Sequence, residues 1–316
     1  MIRVAVLGAS GYTGAETLRW VLGHPDLQLV GATANKHAGK KLSALWPSLN
    51  CDITLTTELP SADVYFLCLP HGEAAKLAPQ LSGKIIDLSG DHRLNTEQTR
   101  RWYKLERPTE PWLYGLPELG HHRYADVDRV ANPGCFATAL ELALLPMHGA
   151  LPPVVNAVGL TGSTGSGASP TEGTHHPTRA ENLRPYKDKV LKHQHAPEVE
   201  NALGGGFRLD FVPISAPLRR GILVTIPLPG ATAERYQDFY VGNPLVRVCD
   251  TAPDTLAVLG SPRADLAVVE GEDGQAVVFC AIDNLCRGAG SQAVVNLNLL
   301  MGWEATRGMR QLPPVP

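Results

Sequence analysis

The chain has 316 residues, enough for two domains with cores of their own. Its 28 Lys and Arg against 31 Asp and Glu leave a formal net charge of −3, which excludes the strongly basic balance that nucleic acid or an anionic membrane surface selects. Six cysteines without paired spacing, no leader-like segment and no apolar run of bilayer length set the expectation of a reduced, cytoplasmic protein.

Residues 2–7 read as a strand. Gly8-Ala9-Ser10-Gly11-Tyr12-Thr13-Gly14 follows, and residues 15–22 then read as a helix with Leu18, Val21 and Leu22 on one face. A glycine-rich turn between strand and helix suits a dinucleotide pyrophosphate. Glycine lets the backbone approach, and the helix N-terminus attracts negative charge. Gly8, Ser10, Gly11, Tyr12, Thr13 and Gly14 are therefore cofactor-binding candidates, with a purely structural turn as the alternative. A second strand over residues 27–33 ends in Ala34-Asn35-Lys36. No carboxylate stands there to hold the ribose hydroxyl of NAD, and Lys36 and Lys40 are cationic, so NADP is the expected cofactor. Strands over 64–69 and 84–88, with a helix over 73–81 between them, continue the βαβ alternation of a parallel sheet.

The polar loop Asp87-Leu88-Ser89-Gly90-Asp91-His92-Arg93 places Ser89 and the planar fork of Arg93 among the phosphate-binding candidates. A strand over 127–131 leads to Asn132-Pro133-Gly134-Cys135, and residues 139–145 read as an apolar helix. A thiol at a helix start meets unpaired N–H groups and the positive end of the helix dipole, which favour the attacking thiolate. The bland alternative is a small buried side chain.

Beyond residue 150 the pattern changes. Strand-like runs over 154–160, 209–214, 221–228, 246–249, 264–269 and 276–282 predict a mixed or antiparallel sheet in a second domain. Gly162-Ser163-Thr164-Gly165-Ser166-Gly167 is an anion cradle or a mobile linker, with Ser163 as a candidate ligand. His193-Gln194-His195-Ala196-Pro197-Glu198 is dense in proton-transfer groups. A metal site drawing on His121, His122, His175 and His176 competes with acid–base work, but no cysteine or carboxylate completes a familiar tetrahedral set. Arg220, just ahead of a strand, could hold a carboxylate or phosphate. A closing helix over 291–303 has Ala293, Val294, Leu297, Leu300 and Met301 at helical spacing.

The glycine loop, the 87–93 loop, Asn132-Pro133-Gly134-Cys135, the 193–198 run, residues 217–222 and Asp283-Asn284-Leu285-Cys286-Arg287-Gly288-Ala289-Gly290 together resemble the N-acetyl-γ-glutamyl-phosphate reductase family over nearly the whole chain. The resemblance implies an α/β fold: a Rossmann-type dinucleotide-binding domain and a second α+β domain of the aspartate-semialdehyde dehydrogenase type. The domains would span residues 1–134, completed by a C-terminal helix over 290–316, and 135–289. It further implies NADP-dependent reduction of an acyl phosphate through a thioester on Cys135, with His193 as acid/base, His195 and Glu198 in support, Asn284 along the cofactor and Asn132 near the acyl phosphate. Where the family usually carries Ser-Arg, this chain has Asn35-Lys36.

The resemblance leaves two substrates in view. One is free N-acetyl-γ-glutamyl phosphate. The other is an aminoadipyl or glutamyl phosphate on a small acidic carrier protein, suggested by the His175–Tyr186 stretch and its cations Arg179, Arg184, Lys187, Lys189 and Lys192. The acyl phosphate itself, no metal, no nucleic acid, no membrane and a homo-oligomer, dimer or tetramer, complete the expectations. A cofactor-binding regulatory protein without turnover is the non-enzymatic alternative.

Overall fold

Buried apolar strands followed by amphipathic helices dictate the first unit, Met1–Gly134 with Ala289–Met309. The computed structural model describes residues 1–105 and 110–309. The strands of this unit are β1 (Ile2–Leu7), β2 (Leu27–Thr33), β3 (Val64–Leu67), β4 (Lys84–Asp87), β5 (Leu113–Tyr114) and β6 (Arg129–Ala131). They form one sheet in the order β2-β1-β3-β4-β6-β5, parallel throughout. Val4 to Leu7 and Val64 to Leu67 are buried without alternation, as expected of strands covered on both faces. The helices are α1 (Tyr12–Gly23), α2 (Leu42–Leu45), α3 (Ala74–Leu77) and α4 (Thr96–Tyr103), the last capped by the Asn95 side chain on Gln98 N–H. Consecutive β1 and β2 lie on one side of the strand-order reversal and β3 on the other. The carboxyl end of β1 is thus the crevice where parallel sheets bind ligands.

The second unit, beginning at Cys135–Gly288, is built on alternation instead. Its strands are β7 (Val154–Thr161), β8 (Arg184–Pro185), β9 (Arg208–Ser215), β10 (Ile222–Pro227), β11 (Val246–Val248), β12 (Ala264–Glu270) and β13 (Ala276–Ile282). The order is β11-β12-β13-β10-β7-β9-β8. The sheet is mixed: β7 with β9 and β11 with β12 are parallel, the remaining pairs antiparallel. Along β9 and β10 every second residue is buried, so one face carries the core. Helix α5 (Cys135–Leu144) packs on β10 and β13; the short helix α6 (His176–Arg179), α7 (His195–Ala202) and α8 (Ala233–Tyr240) complete the unit, with α7 against α5 and β9. Tyr236 and Tyr240 on α8 donate their hydroxyls to the carbonyls of Ala143 and Leu142, satisfying the open C-terminal end of α5.

The chain returns to the first unit in α9 (Ser291–Leu300), which packs on α1 and β4. The helix stops at Leu300, short of the expected continuous helix over 290–316. Gly302 turns the chain with φ +69°, and Trp303 N–H closes on Asn298 O at 2.8 Å. Residues 310–316 of that expectation lie outside the described residues.

Candidate active site

In the first unit the glycine turn is dictated by space. Gly8 has φ +91°, and a Cβ there would lie 2.2 Å from Cys68 O; one on Gly14 would lie 2.3 Å from Gly8 O. Gly8 and Ala9 N–H both donate to Thr33 O, tying the turn to the end of β2. Helix α1 starts at Tyr12 with Gly11 as N-cap and no side-chain cap, and a helix N-terminus of this kind favours an anion. This arrangement fits a dinucleotide pyrophosphate, with Ser10, Tyr12 and Thr13 in the turn. Asn35 and Lys36 follow β2 directly and are exposed.

The 87–93 loop closes on itself. Asp87 is fully buried. Its Oδ2 accepts the Ser89 hydroxyl at 2.9 Å and meets His92 Nδ1 at 2.6 Å, and its Oδ1 accepts Ser89 N–H at 2.8 Å. Ser89 Oγ in turn accepts Asp91 N–H at 3.1 Å. The His92 ring stacks on Trp112 with centroids 3.6 Å apart. Ser89 is thereby engaged inside the loop. Arg93 donates to Leu88 O at 2.8 Å. Asn132 Oδ1 accepts Asn296 Nδ2 at 2.9 Å, which joins the end of β6 to α9.

In the second unit, nine of the ten residues of α5 are buried and Cys135, at its first position, is the partly exposed one. Phe136 beside it lies across Gly159 of β7, where a Cβ would come within 2.6 Å of the ring. The same ring stands 5.7 Å from His193 and 6.4 Å from His195, centroid to centroid. The structure thus brings the cysteine segment and the histidine run together through one aromatic side chain. The His193 ring is buried against Phe136, Phe211 and His195. Burial, reinforced by neighbouring His195 and Lys189 and opposed by Glu198, holds its pKa well below the ordinary imidazole value. Nδ1 accepts the N–H of His195 at 3.2 Å, so the neutral ring carries its proton on Nε2. His195 and Glu198 occupy the first turn of α7 and are both buried. Leu191, with φ +58°, adopts a left-handed turn just ahead of His193.

Two features of this wall had no clear signal in the sequence. The turn Cys286–Gly290 approaches the candidate nucleophile so closely that a Cβ on Gly288 would sit 2.7 Å from Cys135 Cβ. Asp283 supports that turn: its Oδ1 accepts Leu285 N–H at 2.9 Å and Arg220 Nη2 at 2.9 Å, and its Oδ2 accepts Gly260 N–H. Arg220, expected at a substrate anion, here forms an ion pair with Asp283. The second feature is Tyr186, whose ring lies 6.3 Å from His193. Its pKa is raised by burial and further by the nearby Cys135 thiol, so it is a neutral hydroxyl near pH 7.

Other candidates have internal partners. Asn284 Oδ1 accepts Gly221 N–H at 2.8 Å, and its Nδ2 donates to Thr164 Oγ1 at 3.0 Å. Ser163 N–H donates to Leu218 O at 2.8 Å, fixing the 162–167 loop against the 218–221 segment. Arg179 donates to Ser215 Oγ, Ala216 O and Leu218 O. Among the described residues no group of three His, Cys, Asp or Glu side chains could hold a metal ion, and no helix is long and apolar enough to cross a membrane.

Residues 3–127 match the semialdehyde dehydrogenase NAD-binding domain, and residues 135–284 match the semialdehyde dehydrogenase dimerisation domain. In fold the chain is similar to aspartate semialdehyde dehydrogenase II from Vibrio cholerae, with a TM-score of 0.76 over 96% of this chain and 98% of that one, at 15% identity. The two domain matches define an oxidoreductase of the semialdehyde-dehydrogenase type, with a nicotinamide-cofactor domain. The N-acetyl-γ-glutamyl-phosphate reductase of Thermus thermophilus is 40% identical over 95% of this chain and 96% of its own, and that of Salinispora arenicola 41% identical over 98% and 97%. The [LysW]-L-2-aminoadipate 6-phosphate reductase of Deinococcus radiodurans is 37% identical over 97% and 96%. The chain belongs to the N-acetyl-γ-glutamyl-phosphate reductase family.

Proposed function

We propose that the protein reduces N-acetyl-γ-glutamyl phosphate to N-acetylglutamate semialdehyde with NADPH, releasing phosphate. The observation that carries the reading is Cys135, the partly exposed first residue of an otherwise buried helix, beside Phe136 and the pinned, neutral His193. The sulfur attacks the acyl carbon, the bond from that carbon to the phosphate oxygen breaks, and a thioester forms on Cys135. Negative charge at the helix start is stabilised by the positive end of the helix dipole. The reduced nicotinamide supplies the hydride that this thioester accepts. As the resulting oxygen anion develops, His193 Nε2–H is the donor able to stabilise it, and cleavage of the carbon–sulfur bond returns Cys135 and frees the aldehyde. His195 N–H fixes the ring and Glu198 biases its charge.

On the cofactor side, the Gly8–Gly14 turn would hold the pyrophosphate and Lys36 the 2′-phosphate. The dimerisation-domain match supports action as a homo-oligomer, dimer or tetramer, and the reaction class suits the cytoplasm. NADPH oxidation by the purified protein with N-acetyl-γ-glutamyl phosphate tests the reading. NADPH should be preferred over NADH, and Lys36→Asp should narrow or reverse the preference; equal kinetics with both cofactors in the parent would defeat the NADP assignment.

A second reading keeps the chemistry and places an aminoadipyl or glutamyl phosphate on a small acidic carrier protein. It is favoured by the Deinococcus relative and by the exposed Lys187 and Lys192 within the 179–192 stretch. It requires turnover of the carrier-borne substrate that weakens steeply with salt, because surface attraction is screened. Efficient, salt-tolerant turnover of the free acyl phosphate argues for the first reading.

A further inference from the structure

A cavity of about 300 Å³ opens between the 166–187 segment and the end of β9. Ser166, Arg179, Arg184, Tyr186, Lys187 and Ser215 are among its walls, with three cations, several hydroxyls and no carboxylate in the lining. A site of that composition selects an anion. Its cations differ in what they can do. Arg179 is directed to Ser215 Oγ and the carbonyls of Ala216 and Leu218, so it shapes the wall and supplies field. Arg184 gives one N–H to Gly173 O at 3.0 Å and keeps the remainder of its fork for a ligand. Lys187 is exposed and forms no ion pair among the described residues.

Tyr186 joins this cavity to the reacting groups. It lines the cavity, its ring is 6.3 Å from His193, and the His193 ring is 5.7 Å from Phe136, the neighbour of Cys135. The leaving phosphate is bonded to the carbon that Cys135 attacks, so it must lie against the sulfur. A cavity set one aromatic ring further away suits the far end of the acyl chain instead.

We propose that this cavity is the specificity site for the reductase, binding the free carboxylate at the far end of the acyl group through Arg184 and Lys187, with Tyr186 as the wall that sets the chain length between carboxylate and reacting carbon. The proposal rests on the acyl-phosphate reading above and deepens it.

The test uses Arg184→Gln and Lys187→Gln in the full chain, with two acyl phosphates and one binding probe. For N-acetyl-γ-glutamyl phosphate, KM should rise roughly tenfold or more in Arg184→Gln with kcat within about twofold, the pattern of lost binding without lost chemistry. Butyryl phosphate, which lacks the carboxylate, should keep its wild-type kcat/KM in both variants. Glutarate should raise the Tm of the wild type and do so much less in either variant. If the wild type reduces no acyl phosphate but the variants still lose the glutarate shift, the carboxylate site stands and the reaction assignment fails. If the wild type is active and the variants leave both KM and the glutarate shift unchanged, the site is overturned. It is equally overturned if the variants weaken inhibition by inorganic phosphate while the glutarate shift stays intact, because the cavity then holds the leaving group. Lys187→Gln removes only an exposed charge, so a folding failure of Arg184→Gln leaves the decision to that variant.

Discussion

Cys135 at a helix start and Cys280 inside a strand are the same chemical group in opposite surroundings, with Cys68 between them. Cys68 follows β3 and is partly exposed as a residue, but its sulfur lies 3.5 Å from Thr17 Oγ1 and burial of the thiol pushes its pKa up to about 12. Cys280 sits inside β13, where burial raises its pKa as well, against the pull of Arg287. Neither is able to ionise near neutral pH, and both are packing residues. Cys135 begins a helix, keeps partial exposure and stands beside an aromatic ring shared with two histidines. Local backbone and neighbours, rather than residue type, thus separate a candidate nucleophile from a core thiol.

The strongest way to break the comparison is to exchange the two kinds of thiol for alanine. Cys135→Ala should lower turnover by roughly 10⁴-fold or more, as loss of a covalent step does, while NADPH still binds. Cys280→Ala should cost about 1–2 kcal/mol of stability and leave kcat within about twofold. Comparable losses of kcat from both changes would erase the distinction. Next in size, His193→Asn should reduce kcat by roughly 10²–10⁴, the range for general acid–base loss. A larger loss in His195→Asn would move that role two residues along.

Gly288→Ala sharpens the geometric half of the comparison. Its new Cβ would fall 2.7 Å from Cys135 Cβ, so one of the two backbones must shift. A displacement on the order of 1 Å at a reacting group can lower kcat by about 10²-fold. We expect that loss together with a lowered Tm, because overpacking a buried site costs about 1–3 kcal/mol; wild-type kcat in this variant would show that the sulfur's position is not set by the turn. The smallest effect is on stability against pH. The depressed pKa of folded His193 means the unfolded chain binds more protons, so its contribution is fully present above 6.5 and is lost as pH falls below it. His24, buried with Asn298 and Trp303, titrates with the same sign. Denaturation midpoints measured from pH 7.5 down to 5 should fall, and His193→Gln should flatten part of that slope; an unchanged slope would place the acid sensitivity elsewhere.

The regular sheet of the first unit is legible because its strands carry continuous apolar runs between turn residues, as at Val4–Leu7 and Val64–Leu67. The alternating strands of the second unit were legible for the same reason at period two. The two-residue strands β5 and β8 are too short to carry a pattern. Helix α7 is not legible because His195-Ala196-Pro197-Glu198-Val199-Glu200 reads as a polar cluster around a proline, which the first turn of a helix tolerates. Side-chain partners were less legible still. Ser89 and Arg93 look exposed in a polar loop, yet the loop folds its own groups around Asp87. Arg220 meets Asp283, 63 residues away, and Arg179 meets Ser215, 36 residues away. Such pairings depend on the sheet that brings distant segments together, which no local pattern encodes. Gly288 and Tyr186 stood within recognised stretches, but only the fold shows that one crowds Cys135 and the other reaches His193.

Every role proposed for Cys135 depends on one covalent step, transfer of the acyl group to its sulfur. Incubating the protein with N-acetyl-γ-glutamyl phosphate without NADPH, quenching in acid and measuring intact and peptide masses tests it most directly. One hydroxylamine-labile acyl adduct per chain is expected, on the peptide containing Cys135, absent from Cys135→Ala and discharged when NADPH is added before the quench. An adduct on a peptide containing Cys68, Cys280 or another residue, or steady turnover with no adduct trapped at any time, would contradict it.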